Sequence, residues 1–116
     1  MQYKYFKTEE FACKETSENE IKPEFIMRLD ALREVCKFPF TITSGYRSPN
    51  HSVERSKPNG GGTHTKGIAA DIRVSGGAQR YLIQKKAYEL GFTGIGVAKT
   101  FVHLDIRDDT PVSWVY

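Results

Sequence analysis

Two histidines and one aspartate are the residues of this sequence whose types and spacing point most directly to chemistry. His64 and Asp71 lie seven positions apart in the run T-H-T-K-G-I-A-A-D, and His103 lies in F-V-H-L-D. Imidazole and carboxylate are good zinc ligands, and three protein ligands leave one position on the ion open for water. A single strand histidine is more often packed or hydrogen-bonded, so the prediction depends on the combination. We predict one zinc ion held by His64, Asp71 and His103, and hence a metallohydrolase.

Periodic apolar residues predict two helices that support these ligands. The first begins at Pro23 and ends near Lys37. Its buried face is predicted to consist of Phe25, Leu29, Leu32 and Cys36. The second covers residues 76–90 and is followed by Gly91, a residue type that commonly ends helices. Its buried face is predicted to consist of Ile83, Ala87 and Leu90.

Alternating apolar and polar residues predict the strands that carry the ligands. These strands cover residues 40–44, 68–74, 92–97 and 101–107, and the tail V-S-W-V-Y is expected to add an edge strand or to cover the sheet. Asp71 falls on the face opposite the aliphatic residues of its strand, and His103 shares a face with Asp105. His64 follows a long loop over 45–62 that is rich in Ser, Pro, Asn and Gly. The predicted fold class is α+β, with helices packed on one side of an antiparallel sheet.

Composition and charge are those of an ordinary globular protein. A length of 116 residues suits a single domain over 1–116, and 39% hydrophobic with 27% charged residues excludes fibrous and disordered classes. The net charge of +3 comes from scattered Lys and Arg, so we predict no nucleic-acid partner, although an acidic polymer such as a bacterial cell wall would suit it. We expect a monomer in which Cys13 and Cys36 are buried thiols, with one disulfide as the first alternative and zinc ligation by cysteine as the second.

Four segments carry a resemblance to a known family. They are Y-F-K-T-E-E-F-A-C-K at 5–14, T-S-G-Y-R-S-P-N-H at 43–51, G-T-H-T-K-G-I-A-A-D-I at 62–72 and G-F-T-G-I-G-V-A-K-T-F-V-H-L-D-I-R at 91–107. Together they resemble the M15 family of zinc D-Ala-D-Ala peptidases, in particular its small phage and bacterial peptidoglycan hydrolases. The resemblance implies a hedgehog-like α+β fold and zinc on the three ligands above. It also implies hydrolysis of peptide bonds in peptidoglycan stem peptides or cross-links, by a D,D-carboxypeptidase or an endopeptidase.

Arg47 and Tyr46 lie in the second of these segments, after a predicted strand and Gly45. A fixed guanidinium there either clamps a substrate carboxylate or stabilises the oxyanion formed at the scissile carbonyl, and the resemblance implies a role of this kind for Arg47. Tyr46 is predicted to shape the substrate pocket, with packing as the alternative. His51 is interpreted as a surface histidine, with substrate binding or proton transfer as its alternatives.

Two positions depart from the family's pattern. Many relatives carry Glu or Asp three residues before the last histidine ligand, where this sequence has Thr100, and often Ser where it has Gly62. Because a threonine cannot take a proton from water, we predict that Asp105, the nearest carboxylate on the His103 face, acts as base and then as acid. The alternatives for Asp105 are that it orients a ligand imidazole or pairs with Arg107.

Localisation and turnover each leave alternatives open. The N-terminal residues lack the apolar run of a signal peptide, and no stretch approaches the ~20 apolar residues of a membrane span. We therefore expect cytoplasmic synthesis and action at the wall after release, as for a phage endolysin, although a fragment of a larger exported protein would look the same. The alternatives to a peptidase are a hedgehog-like zinc-binding interaction module without turnover, and a structural domain of a phage particle or secretion device with an idle site.

Overall fold

A computed structural model describes residues 3–57 and 61–116 of the chain. Pro58, Asn59 and Gly60, which fall in the predicted loop over 45–62, lie outside the described residues. The described ranges form a five-stranded sheet with two helices packed against it, together with short 3-10 helices. The predicted α+β class is therefore confirmed.

The helices and strands lie within the ranges that the periodicity predicts, although the strands are shorter than predicted. Helix α1 spans Pro23–Cys36 and α2 spans Gly76–Glu89. The strands are β1 (Ile42–Ser44), β2 (Ala69–Arg73), β3 (Gly94–Val97), β4 (Phe101–Asp105) and β5 (Val112–Val115). Short 3-10 helices cover Thr8–Phe11, Glu54–Ser56 and Thr63–Lys66. Among the helices of the described residues, none is long and apolar enough to cross a membrane.

The sheet is mixed, which corrects the prediction of a purely antiparallel sheet. The strand order is β1-β2-β4-β3-β5, and each neighbouring pair is antiparallel except β3 and β5, which run parallel. Both edges of β4 are occupied, by β2 and β3, so the chain that reverses after β4 pairs with the free edge of β3. It then runs in the same direction as β3, because β3 and β4 are antiparallel. The tail thus forms the edge strand that was one of its two predicted outcomes.

The apolar core lies between the helices and one face of the sheet. From α1 it takes Phe25, Leu29 and Leu32, and from the sheet Ala70, Ile72, Ile95, Val102 and Leu104. Ile83 and Ala87 of α2 are also buried, as predicted, but Leu90 is 37% exposed. It lies outside the core because α2 ends at Glu89, and Gly91 then turns the chain in the left-handed region at φ 82°. Cys13 and Cys36 are buried free thiols.

The opposite face of the sheet carries the polar side chains. Strand alternation sends Ala70 and Ile72 into the core and therefore sends Asp71 to the other face. In the register, His103 of β4 pairs with Asp71 of β2 on one side and with Gly96 of β3 on the other. Two of the three predicted ligands are thus direct neighbours across a strand pair.

Candidate metal centre

Three elements bring the predicted ligands together. His64 comes from the 3-10 helix Thr63–Lys66, Asp71 from β2 and His103 from β4. One ligand atom from each residue lies within 4.8 Å of the other two, and all three side chains are buried. Gly67 ends the 3-10 helix in the left-handed region at φ 73°, and this turn leads the chain directly into β2. The short segment from His64 to Asp71 therefore folds back on itself and presents both residues to His103.

The separations of Asp71 from the two histidine nitrogens are close to those between ligands of a tetrahedral zinc ion. Asp71 Oδ1 lies 3.1 Å from His103 Nδ1 and 3.4 Å from His64 Nε2. Zinc bonds of about 2.0–2.2 Å at tetrahedral angles place neighbouring ligand atoms about 3.4 Å apart. Two imidazoles and one carboxylate are also the ligand types found in catalytic zinc sites, which keep one position for water or substrate. The residues present therefore fit one zinc ion.

A backbone carbonyl fixes the orientation of His64. The oxygen of Gly45 lies 2.7 Å from His64 Nδ1. Because a carbonyl oxygen only accepts hydrogen bonds, Nδ1 carries the proton and donates it to Gly45. With Nδ1 as the donor, Nε2 is the nitrogen that faces Asp71, where a metal ligand is required. This support for His64 was not predicted, because a contact from a backbone atom leaves no trace in side-chain spacing.

Asp105 fixes the orientation of His103. Its Oδ2 lies 2.8 Å from His103 Nε2, and Arg107 donates to the same carboxylate from Nε at 2.9 Å and from Nη2 at 2.6 Å. Burial by itself raises the pKa of Asp105, but the hydrogen bonds from Arg107 and His103 outweigh burial and hold that pKa well below its usual range. Asp105 is therefore an ionised acceptor for Nε2–H, and it leaves Nδ1 of His103 directed at the metal position.

Both orienting alternatives predicted for Asp105 are present in the structure. Its side chain is fully buried, and its two oxygens accept hydrogen bonds from His103 and Arg107. It contacts Nε2, whereas the metal position lies at Nδ1, on the other side of the imidazole ring. This geometry favours an orienting role. A role for Asp105 as general base stays a prediction, and it would require the carboxylate to leave His103.

Glycines in β3 make room for this arrangement. Gly94 pairs with Asp105 and Gly96 pairs with His103. A Cβ atom at Gly94 would lie 2.1 Å from Asp105 Oδ2, and one at Gly96 would lie 2.5 Å from the ring of Trp114 in β5. The Trp114 ring covers Gly96, and its centroid lies 4.9 Å from that of His103. The alternating glycines of G-I-G could have identified this face from sequence, but the position of Trp114 depended on the unpredicted parallel pairing of β5.

Arg47 reaches the metal centre from the loop that follows β1. Its Nε donates to Ser44 Oγ at 3.0 Å, and its Nη1 donates to Glu54 Oε2 at 2.9 Å. Its Nη2 lies 3.9 Å from Asp71 Oδ2. The structure thus places Arg47 beside the predicted ligands. Glu54 was not predicted as a site residue, because a glutamate in a polar loop is ordinarily solvated.

A cleft of about 660 Å³ opens over the three ligands and Arg47. The rest of its wall includes residues that were not predicted, among them Lys57, Phe101, Asp108, Asp109, Trp114 and Tyr116. Asp108 and Asp109 are exposed and lie beyond the end of β4. The cleft therefore combines a buried ligand set with a wall of aromatic and charged side chains.

Three other residues considered from sequence do not line this cleft. Tyr46 is buried and donates from its hydroxyl to Glu20 Oε2 at 3.2 Å, and burial, reinforced by this contact, raises its pKa to about 12. It does not line the cleft described above, so the packing alternative describes its position, and a substrate contact stays a prediction. Nε2 of His51 lies 3.3 Å from Glu15 Oε2. Thr100 is exposed in the turn before β4.

Most of the chain is similar to one known protein family. The family model described as Peptidase M15 matches residues 4–105, a range that contains Arg47 and all three predicted metal ligands. A search of curated proteins gave no match to this chain.

Proposed function

Because this chain belongs to the peptidase M15 family, we propose that it is a zinc-dependent peptidase acting on amide bonds in the stem peptides or cross-links of peptidoglycan. The observation that carries the proposal is the ligand set of His64, Asp71 and His103. Its atoms are spaced for zinc, and each imidazole is oriented by an acceptor at its other nitrogen. We include in the proposal an endolysin-like action on the bacterial wall.

The chemistry divides between the metal and the protein. Zinc held by His64, Asp71 and His103 would supply a Lewis acid able to polarise the scissile carbonyl and to lower the pKa of water. His64 and His103 are held with one nitrogen each toward the metal position, so little reorganisation is needed at the moment of reaction. The guanidinium of Arg47 stands beside Asp71 and can stabilise the negative charge that develops on the carbonyl oxygen.

Digestion of purified peptidoglycan tests the proposal. The protein is incubated with isolated cell walls in three states: as prepared with zinc, after removal of zinc by a chelator, and after zinc is restored. Mass spectrometry of the soluble products separates release of terminal D-Ala from conversion of cross-linked peptides to monomers. We expect cleavage only in the two zinc-loaded samples.

Matched histidine variants connect the cleavage to the ligand set. His64→Ala is expected to abolish cleavage, whereas His51→Ala, which changes a histidine outside the main cleft, is expected to retain it. Stoichiometric zinc binding without cleavage of any peptide bond would overturn the proposed enzyme activity.

A zinc-binding module without turnover is the second candidate. It is favoured by the hydrogen bonds of Asp105, which occupy the carboxylate nearest to His103, and by the exposed position of Thr100 where many relatives carry an acid. Under this alternative the centre would stabilise the fold or a binding surface. Tight zinc binding that raises the unfolding temperature, combined with inactivity on cell walls, would support the module over the enzyme.

A further inference from the structure

Glu54 is a fully buried carboxylate at the beginning of the 3-10 helix Glu54–Ser56. Oε2 accepts hydrogen bonds from Arg47 Nη1 at 2.9 Å and from Lys57 Nζ at 3.3 Å. Oε1 accepts the backbone N–H of Gly62 at 2.8 Å. One buried side chain therefore contacts both the arginine of the cleft and the loop that leads to His64.

The contacts of Glu54 keep it ionised. Burial by itself raises its pKa, but the hydrogen bonds from Gly62, Arg47 and Lys57 outweigh burial and lower that pKa to about 2. A buried charge is costly unless it is paired and hydrogen-bonded, and here both oxygens have partners. The chain thus maintains a full negative charge behind Arg47 at neutral pH.

The backbone of the loop at Gly61 and Gly62 packs closely against Glu54. Gly61 lies in the left-handed region at φ 106°, and a Cβ atom there would lie 2.9 Å from Glu54 Oε1. Gly62, whose N–H contacts Glu54, accepts the N–H of Thr65 at 3.0 Å and so starts the 3-10 helix that carries His64.

We propose that Glu54 is a positioning residue that holds Arg47 at the metal centre. This inference rests on the proposed peptidase function. Ser44 and Glu54 engage Nε and Nη1, while Nη2 makes no hydrogen bond to the described residues and lies 3.9 Å from Asp71 Oδ2. Arg47 therefore presents Nη2 to the cleft, where this nitrogen can donate to a substrate oxygen near the metal.

A double-mutant cycle tests the coupling between the two residues. We expect Arg47→Ala to lower kcat about 10²–10³-fold and Glu54→Gln to lower it about 10- to 100-fold, with little change in KM and unchanged zinc stoichiometry. The double variant is expected to be no slower than Arg47→Ala, because Glu54 acts through Arg47. Glu54→Asp, which retains the charge, should recover part of the lost kcat. Glu34→Gln, an exposed acid on α1, is the matched control and should behave like the wild type.

The inference would be overturned if the reductions in kcat of the two single variants multiplied in the double variant. It would also be overturned if Glu54→Gln raised KM and left kcat unchanged. The Arg47 Nη–H signals in a ¹H–¹⁵N NMR spectrum, recorded cold enough to slow rotation of the guanidinium, provide a readout that does not need turnover, because Nη1 donates to Glu54. We expect slow solvent exchange of these protons in the wild type and faster exchange in Glu54→Gln. Faster exchange in Glu54→Gln, combined with a wild type that has no peptidase activity, would retain the positioning role and reject the proposed function. An unchanged exchange rate in folded Glu54→Gln would reject the positioning role.

Discussion

Replacing Asp105 by asparagine separates the two roles that this residue could have. In the structure, Asp105 accepts a hydrogen bond from His103 Nε2 at 2.8 Å and two from the guanidinium of Arg107. Asparagine has nearly the same shape but no charge, and its amide nitrogen donates. The amide nitrogen would therefore face an N–H group of either His103 or Arg107, and two donors cannot form a hydrogen bond with each other.

The expected effect of Asp105→Asn follows from these contacts. Loss of an acceptor behind a metal-binding histidine typically weakens metal affinity roughly 10–100-fold, or about 1.4–2.8 kcal/mol. The variant also leaves Arg107, whose side chain is 24% exposed, without its charged partner. Such a loss is expected to lower the free energy of unfolding of the metal-free protein by about 1–3 kcal/mol. We therefore expect weaker zinc binding and lower stability together, with activity that recovers in part at high zinc.

Competition with a chelating zinc indicator measures the affinity, and urea unfolding of the metal-free protein measures the stability. Glu89→Gln is the matched control for both measurements, because Glu89 is an exposed acid on α2 that does not line the cleft, and neither quantity should change. An unchanged zinc Kd combined with a kcat that high zinc does not restore would refute the orienting role and support Asp105 as the general base. Full activity with zinc retained would remove the catalytic assignment of Asp105.

Three further predictions concern the two histidine ligands, the glycine beside Asp105, and Glu54. His64→Ala and His103→Ala should each abolish stoichiometric zinc binding, as measured by metal analysis after gel filtration; an unchanged stoichiometry in both variants would remove the metal assignment. Gly94→Ala should lower both stability and zinc affinity, because its Cβ would lie 2.1 Å from Asp105 Oδ2, whereas Gly77→Ala, whose Cβ would meet only Arg80 Nη2 at 3.7 Å, should be tolerated in thermal unfolding. The wild type should lose more stability than Glu54→Gln on acidification: the pKa of Glu54 falls from 4.5 to about 2 on folding, so its contribution is present above pH 4.5 and disappears as the pH falls toward 2. Between pH 6 and pH 2, the free energy of unfolding from urea titrations should fall by about 3 kcal/mol more in the wild type than in Glu54→Gln. An equal fall in both proteins would contradict this prediction.

Much of the fold could be predicted from sequence because the helices and strands are locally encoded. The apolar spacing of Phe25, Leu29 and Leu32 gave α1 to within a residue, since a helix must bury one stripe of its surface. Leu90 was predicted to be buried on α2 but lies outside it, because the helix ends at its C-cap and not where the apolar periodicity ends. The parallel pairing of β5 could not be read from its residues, because it depends on which strand edge is still free when the tail arrives.

The sequence by itself determined the identity of the candidate ligands. His64, Asp71 and His103 are recognisable from side-chain chemistry, and strand alternation assigns Asp71 and His103 to polar faces. Arg47 was likewise recognisable from its segment. These inferences succeed because ligand chemistry and strand periodicity are properties of single residues and their near neighbours.

Only the tertiary structure decided how these residues are supported. It directs His64 through the Gly45 carbonyl, His103 through Asp105, and Arg47 through Glu54. Each of these hydrogen bonds depends on distances of a few tenths of an ångström, and most of them join segments that are remote in sequence. The physical reason is that hydrogen-bond partners are selected by packing in three dimensions, whereas the sequence specifies only which groups are available to be paired.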